Sequence, residues 1–329
     1  MPSIYQTIQQ FNKSLDAREK EQWVAMAARW KQTEDALSLY IQRHADAIAA
    51  RKDAGQAIGE TAYTRLETWK DLQRQIVAEG RGYENYATAT IKAEQLTYLE
   101  TGAASAQAAI SNELGAGYAF NKLNTAALEN MVGITADGSP LFDVLQKRAL
   151  SPDMVEGLVN NLNEAIALGY SPRKTAQMMA QGLAAGLDKA LVIARTEQQR
   201  AYRSAAQAQY VESGVVQQYQ RHAAPNERTC LECIALDGKI YPADYDFASH
   251  PACRCFMTPI IAGVDNPSRS TQTWFENQSD AKQREILGAG RYELYKSGTP
   301  LDAMVKIKKD DTWGNVISAV PLKDIKPNE

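Results

Sequence analysis

Hydrophobic and polar residues near the start of the chain recur with the period of an α-helix. From Trp23 the larger residues return at heptad spacing, with charged residues between them, which predicts an amphipathic helix of several turns. Because the heptads are few, one face of an ordinary helical bundle is the simpler interpretation, and a coiled-coil or partner-binding helix is the alternative. The positions that share this seam are Trp23, Met26, Trp30, Thr33, Leu37, Tyr40, His44 and Ala47.

Helical signals continue to about residue 131. A second helix is predicted over 61–78, ending near Gly80, and the Ala-, Thr- and Gln-rich stretch 87–110 has helical propensity but little to bury. The segment VGITADGSP at 132–140 has the composition of a turn. We therefore predict a helical N-terminal region over 1–131 and a linker over 132–150.

The middle of the chain has clearer helix boundaries. Ser151-Pro152 and Ser171-Pro172 each place a capping hydroxyl before a proline in the first helical turn. A helix predicted over 187–211 should end at Gly214. Residues 151–214 are therefore predicted to form three helices with short connections.

After Gly214 the pattern changes from helix to strand. Residues 230–236 and 239–242 flank Asp237-Gly238, which favours the positive φ of a tight turn, so a β-hairpin is predicted. The predicted fold is mainly α. It consists of an N-terminal helical region, a central three-helix segment, a small β-hairpin module at 229–260 with a further strand at 254–260, and a helical C-terminal extension over 263–329.

Composition narrows the classes of function. The 329 residues are 44% hydrophobic and 23% charged, with a formal net charge of −3, which is enough apolar material for a core. No apolar run approaches the ~18 residues of a membrane span, and no signal-like block opens the chain, so a membrane or secreted protein is disfavoured. The stretch from Val192 to Ile260 carries seven positive and seven negative residues, whereas a zinc finger that reads DNA is normally basic.

The four cysteines all lie within one short stretch of the chain. A disulfide framework would spread over a small secreted fold, so this clustering favours a metal site. Cys-x-x-Cys and His-x-x-Cys pairs direct soft donors at one tetrahedral ion, and such donors favour zinc over calcium or magnesium. The candidate ligands are Cys230, Cys233, His250, Cys253 and Cys255.

The cluster predicts one structural zinc ion per chain, with either Cys253 or Cys255 as a spare ligand. The module has few apolar residues for its length, so ligand bonds are expected to replace a missing core. Disulfides among the same cysteines and a metal-free thiol cluster are the alternatives.

Catalytic uses of the cluster are disfavoured by its pattern. A catalytic zinc needs an open coordination position and a nearby carboxylate, but five donors fill the site and Glu232 is expected to point to solvent. A thiol-redox motif should open a helix after a strand, and a hairpin is predicted here instead. A nucleophilic pair of Cys230 with His222 would explain fewer of the residues.

The residues around the cluster resemble a known family. In order, they are Ala194-Arg195-Thr196-Glu197 on a helix, Thr229-Cys230-x-x-Cys233, Leu236-Asp237-Gly238-Lys239-x-Tyr241 and His250-Pro251-x-Cys253-Arg254-Cys255. This order is similar to the phage Mu F-like family, the minor head or head-morphogenesis proteins of tailed bacteriophages. The likeness runs from about Ser151 to the end of the chain, and the part around Trp274 and Arg291-Tyr292-Glu293-Leu294 resembles an extension found in some members.

The resemblance implies a structural protein of the virion and no enzymatic activity. Such a protein would be bound in low copy number to the portal inside the procapsid, would meet the major capsid or scaffolding protein and packaged DNA, and would assist head assembly, DNA packaging or ejection. It would be found in the host cytoplasm during assembly and at the portal vertex of the head afterwards. The resemblance also defines a head-morphogenesis domain over 151–262. A zinc-dependent nuclease or deaminase-like enzyme and a DNA-binding module are the alternatives.

Two further groups of residues are candidates for function. Arg195 and Glu197 are either solvated or paired helix charges, or residues that bond the backbone of the Cys/His loop or a ligand histidine. Trp23, Trp30 and Tyr40 are predicted to contact the portal or shell, because Trp and Tyr are favoured anchors of buried interfaces.

Overall fold

The structure is a computed structural model that describes residues 2–56, 67–114, 130–148, 172–264 and 270–325. Over these residues the fold is mainly helical with two small antiparallel sheets, which confirms the predicted class. None of the described helices has the length and apolar content that crossing a membrane requires. The elements are α1 (Ile4–Asp53), α2 (Glu67–Leu114), α3 (Leu141–Arg148), α4 (Pro172–Glu212), β1 (Gln218–His222), α5 (Leu231–Ala235), β2 (Ile240–Pro242), β3 (Phe256–Ile260), α6 (Thr271–Glu276), α7 (Asp280–Leu287), α8 (Ala289–Lys296), β4 (Val305–Asp310) and β5 (Gly314–Ala319), with 3-10 turns at Leu301–Met304 and Leu322–Asp324.

The long helices are less interrupted than the sequence pattern predicts. Helix α2 passes through Gly80 and Gly82 without a break, so the predicted helix end near Gly80 is wrong. A glycine inside a helix costs only ~1 kcal/mol relative to alanine, and the burial of neighbours such as Tyr83 and Ile91 outweighs that cost.

Helix α4 joins two of the three helices predicted in the middle of the chain. It begins at Pro172 as predicted, and Gly214 with φ 68° follows its last turn. The short connection expected before residue 187 is wrong, because α4 runs through Gly182 without a break. The first predicted helix and its Ser151 cap fall on 151–171, outside the described residues.

The chain divides into two compact units. Unit 1 comprises Met1–Ala17, Ala93–Gly138 and Arg195–Glu329, and unit 2 comprises Arg18–Lys92 and Ser139–Ala194.

In unit 2 the apolar seam of α1 is buried against α2. The Trp30 ring meets the Tyr83 ring edge-on, with centroids 4.5 Å apart. His44 Nδ1 lies 2.9 Å from Thr68 Oγ1, and its ring is 5.2 Å from that of Trp69. Burial lowers the pKa of His44 to about 4. The seam is therefore the core of a helical bundle, and His44 is a core histidine.

In unit 1 strand β1 is the middle strand of a sheet ordered β2-β1-β3. The predicted hairpin is wrong in its pairing, because Tyr219 of β1 stands opposite both Tyr241 and Pro259. The segment after Cys230 forms the short helix α5 and buries its apolar side. Gly238 has the predicted positive φ, 76°, but its turn joins α5 to β2.

The C-terminal extension is helical at first and then ends in a hairpin that the sequence analysis missed. Strand β4 pairs with β5, and β5 also binds the loop before His250. Ser249 N donates to Asn315 O at 3.1 Å, and Ile317 N donates to Ser249 O at 3.0 Å.

The Cys/His module shares a core with this extension. The buried members of the cluster are Leu231, Ile234, Ala235, Phe275, Leu287, Tyr292, Leu301, Met304 and Ile325. Asp237 adds a polar link, since Oδ1 accepts from Ala223 N and Oδ2 from Thr271 N, both at 2.7 Å. The expectation that ligand bonds replace a missing core is therefore wrong, because the extension supplies one.

Candidate metal centre

Two short turns carry the predicted ligands. Cys230 caps α5, and its carbonyl accepts from Ile234 N at 3.1 Å. The turn from His250 to Cys253 is closed by Cys253 N donating to His250 O at 3.1 Å, and Ala252 within it has a φ of 60°. The left-handed conformation is strained at a residue other than glycine. Surrounding contacts must therefore hold the turn in this shape.

The side chains of all five candidates meet around Cys233. Cys233 Sγ lies 3.1 Å from His250 Nε2, 3.8 Å from Cys253 Sγ and 3.0 Å from Cys255 Sγ, and Cys230 Sγ lies 3.2 Å from His250 Nε2. All four cysteines are free thiols. Two groups of three converge closely enough to hold a metal ion, and Cys233 belongs to both.

The separations between the donor atoms can be compared with those around a tetrahedral zinc ion. Zinc bonds of ~2.3 Å to sulfur and ~2.0 Å to nitrogen imply ligand atoms ~3.5–3.8 Å apart. The Cys233–Cys253 separation of 3.8 Å meets this value, whereas the Cys233–Cys255 separation of 3.0 Å and the separations of 3.1 and 3.2 Å from the sulfurs to His250 Nε2 are shorter. Cys253 and Cys255 both belong to the group of donors that includes Cys233, and either can complete a set with Cys230, Cys233 and His250.

The ring of His250 is oriented for ligation through Nε2. Its Nδ1 lies 2.8 Å from Pro251 O. A carbonyl can only accept, so Nδ1 carries the proton and Nε2 is left as a ligand atom, which is how metal-binding histidines are held.

The thiols cannot all ionise together. The hydrogen bond from Cys233 lowers the pKa of Cys230 to about 4, and bonds from Cys233 and Cys255 hold that of Cys253 well below its usual range. The bonds of Cys233 to its neighbours raise its own pKa well above the ordinary value. A divalent cation between the sulfurs would remove this competition, because it favours every thiolate at once.

The same thiols control the charge of the histidine. Burial lowers the pKa of His250, but hydrogen bonds to Cys230 and Cys253 outweigh burial and raise it to about 11. His250 Nε2 cannot donate a hydrogen bond to a thiol sulfur and bind a metal at the same time. Metal binding would therefore release a proton from His250.

Arg221 is buried next to the cysteine sulfurs, although in the sequence it counts only as one of the positive charges. Arg221 is 2% exposed; Nη1 donates to Ala248 O at 2.6 Å, Nη2 lies 3.9 Å from Cys253 Sγ, and the guanidinium is 4.3 Å from the Phe247 ring centroid. Burial lowers the pKa of Arg221, but the Cys255 and Cys253 sulfurs outweigh burial and raise it. Arg221 therefore balances negative charge at the cluster.

Arg203 of α4 is a second arginine that packs on Phe247 beside the cluster. Its Nη1 donates to Cys255 O at 3.2 Å, and its guanidinium is 5.0 Å from the Phe247 ring centroid. No motif or spacing distinguishes these two arginines from others in the chain. Only the folding of β1 and α4 around Phe247 brings them to the site.

The residues of the Arg-Thr-Glu motif are buried, so Arg195 and Glu197 are not solvated, and Glu197 is instead a paired helix charge. Glu197 Oε2 accepts from Nε and Nη2 of Arg200 at 2.8 and 2.7 Å, rather than bonding the Cys/His loop. Burial raises the pKa of Glu197, and Arg200 opposes the rise. The residue between them makes the contact with the loop: Thr196 Oγ1 accepts from Ala252 N at 2.9 Å.

Two other residues lie differently from expectation. Glu232 is half-buried beside Cys230 instead of pointing freely to solvent, and burial followed by the Cys230 charge raises its pKa. His222 Nε2 lies 2.8 Å from Thr258 Oγ1, and the ring packs edge-on to Tyr5. His222 is thus a core residue rather than the base of a pair with Cys230.

The predicted partner-binding aromatics belong mostly to the chain's own core. Trp30 is 1% exposed and packed on Tyr83, so its prediction as a partner anchor is wrong, because α2 already covers it. Trp23 and Tyr40 are partly exposed, and the Arg43 guanidinium lies 5.5 Å from the Tyr40 ring centroid.

A small opening leads to the cluster from solvent. Its volume is about 50 Å³, and its walls include Asn226, Arg228, Cys230, Cys233, His250, Arg254 and Cys255. Cys230 is the only cysteine of the chain that is not buried. A metal ion and molecules of the size of water can reach the sulfurs by this route.

A comparison with protein families identifies the class to which this region belongs. Residues 156–258 match the model described as "Phage Mu protein F like protein", which confirms the resemblance drawn from the motifs. The matched segment includes all five candidate ligands, the Arg-Thr-Glu motif and Arg221. The curated proteins and the solved structures gave no match.

Proposed function

We propose that this chain is a minor head protein of a tailed phage, bound at the portal inside the procapsid and acting in head assembly, DNA packaging or ejection. Its partners are the portal protein and the major capsid or scaffolding protein, with packaged DNA as a further contact. The observation that carries the proposal is the family match over 156–258, which spans the complete Cys/His string.

The Cys/His cluster serves this function as a structural cross-link. One zinc ion held by Cys230, Cys233, His250 and Cys253 would tie α5 to the turn before β3. Five soft donors around one point, with Arg221 behind them, suit a closed structural site better than a catalytic one, which keeps a position open for water. The metal's contribution is thus to fix the loops, whereas Thr196 and Ser249 hold them from the protein side.

The contact with the portal or shell is proposed for the outer faces of the N-terminal helices. These faces expose large apolar side chains, with Val24 of α1 71% exposed and Leu39 of α1 50% exposed. These exposed side chains replace Trp30 as the proposed contact, because the Trp30 ring is buried within unit 2.

The experiment is to locate the tagged chain in heads from phage-infected cells by co-purification and cryo-EM. We expect density at the portal vertex for the unmodified chain and loss of incorporation when Val24 and Leu39 are both changed to Asp. A Ser38→Asp variant is the matched control on the same helix. Normal incorporation of the double variant would contradict the proposed contact, and a folded chain found outside heads would contradict the function.

The enzyme alternative has its own discriminating assay. A nuclease or deaminase would use Glu232, the carboxyl next to Cys230, as its acid or base. Activity that is lost both on chelation and in Glu232→Gln would favour the enzyme. A Glu227→Gln variant, in the exposed loop before Cys230, controls for the loss of a charge.

A further inference from the structure

We propose that Cys233 and Cys255 form a redox-sensitive pair, and that their oxidation by a peroxide joins the two sulfurs and releases the metal. The release step rests on the metal site of the proposed function. The formation of the disulfide does not, because it needs only the two thiols and the oxidant.

The geometry of Cys233 points to this pair. Its sulfur lies 3.0 Å from Cys255 Sγ, closer than the 3.8 Å to Cys253 Sγ. A disulfide bond of ~2.05 Å needs the sulfurs to approach by only ~1 Å.

Cys255 is the donor outside the ligand set proposed above, yet it is not isolated. It is buried, its backbone carbonyl is fixed by Arg203, and it lines the same 50 Å³ opening as Cys233. A molecule as small as hydrogen peroxide can therefore reach both sulfurs. Reaction with a peroxide would account for a fourth thiol beside the four proposed ligands.

The reaction balances with hydrogen peroxide as the only oxidant. An oxygen atom passes to Cys255 Sγ as the O–O bond breaks, which gives a sulfenic acid and one water. Cys233 Sγ then attacks that sulfur; the S–S bond forms, the S–O bond breaks, and the departing hydroxide takes up a proton to leave as a second water. The metal stays divalent throughout.

Loss of Cys233 has a larger effect than loss of any other ligand. Cys233 is the one residue common to both groups of three donors. Once its sulfur is in a disulfide, only Cys230, His250 and Cys253 remain, and a structural zinc site needs four ligands. Reduction of the disulfide would restore the thiol and the site.

The test treats the purified full chain with hydrogen peroxide and follows zinc release with a chromogenic chelator. Mass spectrometry of unreduced peptides identifies the disulfide. We expect one zinc released per chain together with a Cys233–Cys255 disulfide, and recovery of both after reduction in the presence of zinc. Cys255→Ser should bind zinc normally and release it more slowly, on the order of tenfold, because the intramolecular partner is gone.

The variants separate failure of this inference from failure of the metal site. Release from Cys255→Ser at the unmodified rate, or a Cys230–Cys233 disulfide, would overturn the pair, and so would a Cys255→Ser chain that binds no zinc, because Cys255 would then be a ligand. Cys253→Ser should lack zinc from the start and still form the Cys233–Cys255 disulfide. A native chain with free thiols and no zinc would refute the metal site, and disulfide mapping would still test the pair.

Discussion

Replacing Gly102 by alanine should destabilise unit 1 through a close contact between helix backbones. Gly102 of α2 faces α4, and a Cβ atom at this position would lie 2.2 Å from Tyr202 O and 3.0 Å from Tyr202 C. These are main-chain atoms of a helix, so no side-chain rotation can relieve the overlap. The Tyr202 hydroxyl is also held, since it lies 2.8 Å from Ser105 Oγ one turn further along α2.

Two opposing contributions set the change in the free energy of unfolding caused by Gly102→Ala. Alanine stabilises a helix interior by ~1 kcal/mol relative to glycine. Overpacking that moves the backbone costs ~1–3 kcal/mol, and an overlap with main-chain atoms belongs at the upper end. The net loss in the free energy of unfolding should be ~2 kcal/mol, which lowers Tm by ~4–8 °C in a unit of this size.

Gly82→Ala is the matched control on the same helix. Its Cβ would meet only Arg29 Nη2 at 3.1 Å, the far end of a flexible side chain, so it should gain the helix propensity and be neutral or stabilising. The assay is urea unfolding followed by circular dichroism at both variants and the unmodified chain. If Gly102→Ala is as stable as Gly82→Ala, α2 and α4 are not in backbone contact, and the packing of unit 1 described above is wrong.

Three other substitutions test separate features. Arg221→Met should lower the free energy of unfolding by ~1–3 kcal/mol because Ala248 O loses its donor, and it should weaken zinc retention against a chelator; retention equal to the unmodified chain would show that the guanidinium does not support the cluster. Trp30→Ala should cost ~3–5 kcal/mol in denaturant unfolding, the range for a buried aromatic, whereas a loss below ~1 kcal/mol would mean that the ring is free for a partner. Asp237→Asn should cost ~1–3 kcal/mol, since an amide keeps one acceptor for two backbone N–H groups; hydrogen exchange at the Thr271 amide should speed up, and unchanged exchange there would contradict the link.

The Cys/His cluster was predictable because local spacing carries its chemistry. The pairs Cys230-x-x-Cys233 and His250-x-x-Cys253 fix which donors share a turn, and the structure gathers them into two groups that share Cys233. Spacing does not distinguish Cys253 from Cys255, because both lie next to the same turn. Arg221 was unpredictable for a physical reason: its contact with Cys253 spans 32 positions and depends on how β1 lies in the sheet.

The helices were predictable in kind but not in extent. The seam through Trp30 indicates a helix, yet glycines such as Gly82 and Gly182 suggested ends where α2 and α4 continue. Tertiary packing decides such positions, because the local penalty of a glycine is small. The strand expected at 230–236 failed in the same way, since the apolar face of α5 is buried by residues near 275–325 that local pattern does not include.

The bridge between Ser249 and β5 also sets an order of events during synthesis. Cys233 precedes Val316, the bridging residue of β5, by 316 − 233 = 83 positions. At about 5–20 residues per second, the ribosome makes the first thiols some 4–17 s before the strand that braces their loop. In that interval the sulfurs are neither braced by β5 nor covered by the extension. The thiols of the nascent chain are therefore exposed to oxidants before the rest of the fold can protect them.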